Sequence, residues 1–177
     1  MKNIGVFCSA SNEIAPIYKE GAKQFGQWLG KHNKTLVFGG VNRGLMEILA
    51  QETYKEGGQV IGVVPEKLQE HASTFMHQVH TVPDLSQRKD IILQKSDVLV
   101  ALAGGIGTLD EVFHVLANRI LDYHQKKVIF YNTNHFYDEL IQALVKFRQE
   151  GFIRSELSDL YAVANTEAYL NILLNND

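Results

Sequence analysis

The sequence predicts an α/β protein built on a Rossmann-like, doubly wound, mainly parallel sheet with helices on both faces. Three observations carry that prediction. The strand-like runs are continuously apolar rather than alternating, as strands covered on both faces are. They alternate with segments of helical periodicity along the whole chain. One of them, Val98-Leu99-Val100-Ala101-Leu102, runs straight into the glycine-rich turn Gly104-Gly105-Ile106-Gly107-Thr108, after which Leu109, Val112, Phe113 and Leu116 recur at helical spacing.

The elements follow in order. Asn3–Cys8 reads as a first strand, followed by the small, polar loop Ser9-Ala10-Ser11-Asn12. Pro16 suits the first turn of a helix that buries Ile17, Phe25, Trp28 and Leu29 and ends near His32. Thr35–Phe38 is a second strand ending in Gly39-Gly40. A helix from about Arg43-Gly44 carries Leu45, Ile48, Leu49 and Tyr54 and stops at Gly57-Gly58. Val60–Val64 is a third strand closed by Pro65. Glu66–Met76 is polar and irregular, the segment that resembles an active-site flap. Val79–Val82 is a short extended piece, and Leu85–Lys95 a helix with Asp84 or Ser86 at its cap. Beyond the glycine turn a long helix is expected to about Tyr123. Then come a strand at Lys127–Tyr131, a helix at Phe136–Glu150 stopped by Gly151, a strand at Leu160–Val163 and a helix at Thr166–Leu174.

The 177 residues suffice for one domain with a full core, so a single domain over 1–177 is expected. Composition is that of an ordinary globular protein, 45% hydrophobic and 21% charged. A formal net charge of −3 argues against a general nucleic-acid or anionic-membrane binder. The single cysteine, Cys8, excludes an internal disulfide and fits a reducing compartment. With no signal peptide evident and no apolar run of membrane-spanning length, a cytoplasmic protein is expected.

A strand, a glycine turn and a helix N-terminus in that order make an anion site, since free N–H groups and the helix dipole favour negative charge. The expected nucleotide-binding stretch is Gly104, Gly105, Ile106, Gly107, Thr108, Leu109 and Asp110. Asp110 and Glu111 fall in the expected first turn, where a carboxylate either complements the dipole or does chemistry on whatever the phosphate anchors. A dinucleotide fingerprint is excluded. The first turn, CSASNE, has no glycine, and in GIGTLD an aspartate stands where the third glycine belongs. Neither a Walker A loop nor a GxSxG elbow is present. A monophosphate-sized cradle with an acid beside it remains. His71, His77 and His80 lie close in sequence but lack a convincing further ligand set, so they read as solvated loop histidines and no metal site is expected. Arg88 and Lys89 place two adjacent cations at the start of the helix before the central strand. They form either a solvated face or a group aimed at a substrate anion or at Glu111.

Three motifs together, VFGGVNRGLM, SQRK and AGGIGTLDE, resemble the Lonely Guy family of cytokinin riboside 5′-monophosphate phosphoribohydrolases, many bacterial members of which were misannotated as lysine decarboxylases. The resemblance spans nearly the whole chain, EGFI at Glu150–Ile153 included. It implies catalytic roles for Arg88 and Glu111, nucleotide binding by Lys89 and Gly104–Asp110, and substrate contact by Glu70. It implies hydrolysis of the N-glycosidic bond of a nucleoside 5′-monophosphate, with no metal or redox cofactor. The alternative is a non-catalytic carrier of a nucleotide or of molybdenum cofactor. The chain departs from the family pattern at Ala103 (proline in the family), at Ala117-Asn118 (Thr-Trp) and at Asp110 (Glu). A homodimer is also implied, in keeping with the apolar Phe113, Leu116, Ile120 and Leu121 on more than one face of their helix.

Overall fold

The computed structural model describes residues 2–175. Seven strands form one sheet: β1 (Asn3–Phe7), β2 (Thr35–Phe38), β3 (Gln59–Pro65), β4 (Gln78–Val82), β5 (Val98–Ala101), β6 (Val128–Tyr131) and β7 (Tyr161–Ala164). Their spatial order is β4-β3-β2-β1-β5-β6-β7, and every pairing is parallel. The expected doubly wound α/β fold is therefore the observed one.

Alternate residues of each strand feed two cores. On one face Ile4, Val6, Leu36, Phe38 and Val100 pack against α1 (Pro16–Lys31) and α2 (Gly44–Lys55). On the other, Phe7, Val37, Leu99 and Ala101 meet α3 (Leu85–Lys95), α4 (Ile106–Ile120) and α5 (Asp138–Gln149). Two further helices complete the chain, the single turn α6 (Leu157–Leu160) and α7 (Glu167–Asn175). The period-2 side-chain alternation thus splits one apolar strand between two layers.

Strand order reverses between β1 and β5, where Val6 pairs with Val100 and Phe7 with Ala101. Beyond the pairing the chains stay joined, Ser9 N donating to the Ala103 carbonyl at 3.1 Å. A crevice outside the carboxyl ends of these strands is where such a sheet takes its ligand. Its floor is firm. Leu45 N donates to the Ser9 carbonyl at 2.9 Å and Gly44 N to Asn12 Oδ1 at 2.9 Å, so the β1 loop closes the N-terminus of α2. Gly44 has φ +55, and a Cβ there would stand 2.6 Å from the Ala10 carbonyl carbon.

Several expectations are corrected. Glu66–Met76 is not a free flap. Glu66–His71 forms a 3-10 helix, and Asn42 N and Ser73 N tie the segment down by donating to the carbonyls of His71 (2.8 Å) and Gly40 (2.9 Å). The Met76 sulfur fills the space a side chain on Gly62 would need. The long helix stops at Ile120, and Asp122 turns the chain at φ +60. The helix expected from Phe136 starts at Asp138 after a short 3-10 turn, and α6 ends where the last strand begins. Among the described residues no helix is long and apolar enough to cross a membrane.

Candidate active site

Asp84 caps α3, its carboxylate accepting from Gln87 N at 2.9 Å. The next turn carries Arg88 and Lys89 to the carboxyl edge of the sheet. Opposite, α4 begins at Ile106 with Gly105 as its N-cap, and no side chain caps its first N–H groups. The helix therefore starts earlier than the glycines suggest, and Asp110 and Glu111 stand in its second turn, not its first. Simple complementation of the dipole loses its force there, because that effect fades beyond the terminal turn.

These elements enclose a cavity of about 250 Å³ lined by Cys8, Ser9, Ala10, Met46, Leu85, Arg88, Lys89, Gly105, Gly107, Thr108, Asp110 and Glu111. At its base Arg88 and Glu111 are 7% and 6% exposed, with Nη1 and Oε1 3.6 Å apart. That is an ion pair too long to be a good hydrogen bond. Burial consequently outweighs the attraction of Arg88, and the Glu111 carboxyl is pushed up from its ordinary 4.5 to about 7, with the Asp110 charge adding to the rise. The buried Arg88 Nε has no protein partner, which leaves a donor for a ligand atom. Burial also raises the Cys8 thiol far above its usual range, so Cys8 is no nucleophile.

Gly39 makes the seat of Arg88. A Cβ at Gly39 would fall 1.5 Å from Arg88 Nη2, so the guanidinium lies against bare backbone at the end of β2. The same Nη2 reaches the Met46 sulfur at 3.8 Å. Nearer the mouth, Lys89 Nζ bridges both oxygens of Asp110 at 2.8 and 2.9 Å. Further out, His114 Nε2 stands 3.0 Å from Asp90 Oδ1. Three consecutive residues of α3 thus meet three of α4, the pairs running from buried to exposed.

The structure brings Arg88, Lys89, Gly105, Gly107, Thr108, Asp110 and Glu111 together. Gly104 supports them from behind, since a Cβ there would strike Thr108 Oγ1. Leu109 packs into the core, and Ile106 is 86% exposed away from the lining. Glu70 is exposed on the 3-10 helix after β3 and is not among the lining residues. Ala117 and Asn118 lie further along α4, also outside the lining, where Asn118 Nδ2 donates to the His114 carbonyl. The topology rule that selects loops at strand carboxyl ends points to those after Cys8 and Phe38, which hold Ser9, Ala10 and Gly39, without naming these residues. Sequence reading missed Met46 and Leu85, the GGVNRGLM stretch being the available signal for Met46. The three histidines have separate settings. His71 meets Arg43 at 3.1 Å, His77 Nδ1 accepts from Val60 N and stacks on Tyr54, and His80 belongs to β4 rather than to a loop. Among the described residues no group of three or more His, Cys, Asp or Glu is placed to hold a metal ion.

The two kinds of glycine give opposite expectations. Gly39→Ala should displace Arg88 and lower the thermal midpoint by several degrees in calorimetry. Gly107→Ala, in the first turn of α4 with nothing within 4 Å of the added methyl, should gain up to about 1 kcal/mol while weakening binding of a phosphorylated ligand.

The family model described as "Possible lysine decarboxylase" matches residues 46–172. A cytokinin riboside 5′-monophosphate phosphoribohydrolase of Arabidopsis thaliana is 38% identical over 156 residues, 86% of this chain and 72% of that protein. The enzyme of that name from Rhodococcoides fascians is 35% identical over 155 residues, 86% and 78% of the two chains. Among solved structures, a molybdenum cofactor binding protein of Rippkaea orientalis superposes with a TM-score of 0.76 at 26% identity, covering 98% of this chain and 94% of its own. With sequence relatives at this identity over most of its length, the chain belongs to the Lonely Guy family of phosphoribohydrolases.

Proposed function

We propose that this protein hydrolyses the N-glycosidic bond of a nucleoside 5′-monophosphate, releasing free base and ribose 5-phosphate. The observation that carries the reading is the buried Arg88–Glu111 pair at the base of a cavity whose wall is an uncapped helix N-terminus. The 5′-phosphate sits against the N–H groups of Gly107 and Thr108, where backbone and dipole favour an anion. That anchoring sets the anomeric carbon beside Glu111, so binding remote from the reacting bond supports the chemistry. As the bond to the base breaks, positive charge builds on the ribose ring, and the Glu111 carboxylate stabilises it. Water adds at the anomeric carbon, giving up its proton to the carboxylate, while the base leaves with the bonding pair and takes that proton from the Glu111 carboxyl by way of solvent, which restores the carboxylate. Arg88 holds Glu111 in place, and its free Nε donates to the substrate. Lys89 and Asp110 form the rim.

A carrier reading is favoured by the fold likeness to the molybdenum cofactor binding protein. It gives the buried acid no task, and it expects a bound ligand with no product. Cytoplasmic location and the absence of a nucleic-acid or membrane partner belong to the enzyme reading, as does a homodimer. The side of α4 away from the cavity, with α5 and α6, forms an apolar groove lined by Phe113, Ala117, Ile120, Phe147 and Leu157, with the buried Leu116 at its base. Phe113 and Ile120 are 40% and 47% exposed in the single chain, and a second copy would cover them.

Incubation with AMP should yield adenine and ribose 5-phosphate in equal amounts. Glu111→Gln should lower kcat by about 10²–10⁴-fold, and an unchanged rate would refute the role. Since the ionised carboxylate is the working form, kcat/KM should climb as pH rises through about 7, a limb that Glu111→Gln lacks. Stability carries the opposite sign. The native carboxyl holds its proton up to about 7 while the unfolded one releases it near 4.5, so wild type loses stability as pH rises between those values. Glu111→Gln should therefore be the more stable protein at pH 8, by about 1–3 kcal/mol, with the gap closing at pH 5. Light scattering should give twice the chain mass, and Phe113→Glu should give the mass of one chain.

A further inference from the structure

We infer that Tyr137 is a positioning residue for the phosphate end of the site. Its hydroxyl, 2% exposed with the rest of the side chain, donates to the Leu102 carbonyl at 2.6 Å. Leu102 is the last residue before Ala103-Gly104-Gly105, the turn that sets where α4 begins. From the β1 side this turn is held by Leu102 N donating to the Phe7 carbonyl and by Ser9 N donating to Ala103. Tyr137 holds it from the opposite side.

The tyrosine is itself fixed. Its N–H donates to Asn132 Oδ1 at 2.7 Å, and Asn132 Nδ2 donates to Asp138 Oδ1 and Asn165 Oδ1 at 2.7 and 2.9 Å. The ring packs on Phe130 and edge-on against Phe136, with centroids 5.0 and 4.9 Å away. Burial pushes the phenol far up, so it is a permanent donor. A braced strut therefore runs from the ends of β6 and β7 to the carbonyl that precedes the glycine turn. The strut matters because residue 103 is alanine. A proline there would fix its own φ and restrict Leu102 covalently, whereas with alanine the restraint falls to a hydrogen bond.

This role rests on the phosphate lying at the α4 N-terminus, so its test uses ribose 5-phosphate as the probe, read by titration calorimetry without turnover. Tyr137→Phe should weaken its binding roughly fivefold, the equivalent of one hydrogen bond of about 1 kcal/mol. With AMP it should raise KM by a similar factor and change kcat less. Adding Ala103→Pro should recover most of the loss, which general damage to packing would not allow. Should Tyr137→Phe alone not fold, the same substitution is made in the Ala103→Pro protein, where it should cost less than twofold in affinity. Equal binding by folded Tyr137→Phe and wild type would overturn the assignment, as would a double variant as weak as Tyr137→Phe. A wild type that binds no ribose 5-phosphate would overturn the phosphate site first and this strut with it, whereas binding without AMP hydrolysis would remove only the proposed reaction.

Discussion

Everything at the carboxyl edge of the sheet is arranged around one guanidinium taken out of water. Arg88 is a charge that costs several kcal/mol to bury, and its partner Glu111 costs a comparable amount. Their separation of 3.6 Å does not offset that desolvation, as the raised Glu111 carboxyl records. The pair is therefore a poor stabiliser of the fold, and its place in the fold is not explained by stability. What makes it tolerable is a seat in which β2 supplies bare backbone at Gly39, α2 a polarisable sulfur at Met46, and α4 the carboxylate.

The sheet topology explains why such a seat exists at all. Where strand order reverses between β1 and β5, the following loops diverge to opposite sides and leave a gap that neither fills. The β1 loop caps α2, the β5 turn starts α4, and α3 enters from the side carrying Arg88. The cavity occupies space that the winding of the chain cannot close.

Most of the fold was legible because its strands are buried on both faces, which writes unbroken apolar runs into the sequence. Boundaries were less legible where glycine has two uses. Gly105 and Gly107 read as turn residues, yet Gly107 lies inside α4, and this shifted Asp110 and Glu111 by a turn and changed the physical reason for their presence. The segment after Pro65 reads as an irregular flap because its polar residues conceal three anchors, Leu68, Phe75 and Met76, packed against the core. Glu70, assigned to the substrate by the resemblance alone, stands exposed on the 3-10 helix and outside the cavity lining of the single chain. The GGVNRGLM stretch marks the loop in which Gly39 lies, but not the reason for a glycine there. Its absent side chain answers to an arginine far along the sequence.

The stacked contacts between α3 and α4 have an evolutionary consequence. Arg88, Lys89 and Asp90 engage Glu111, Asp110 and His114 as one set, so the register of the two helices and the composition of the site are a single property. A one-residue insertion or deletion within the first turns of either helix would rotate its residues by about 100° and misalign all three pairs together. Lineages carrying this arrangement can therefore diversify here by exchanging side chains, while changes in length are confined to the loops beyond the helices.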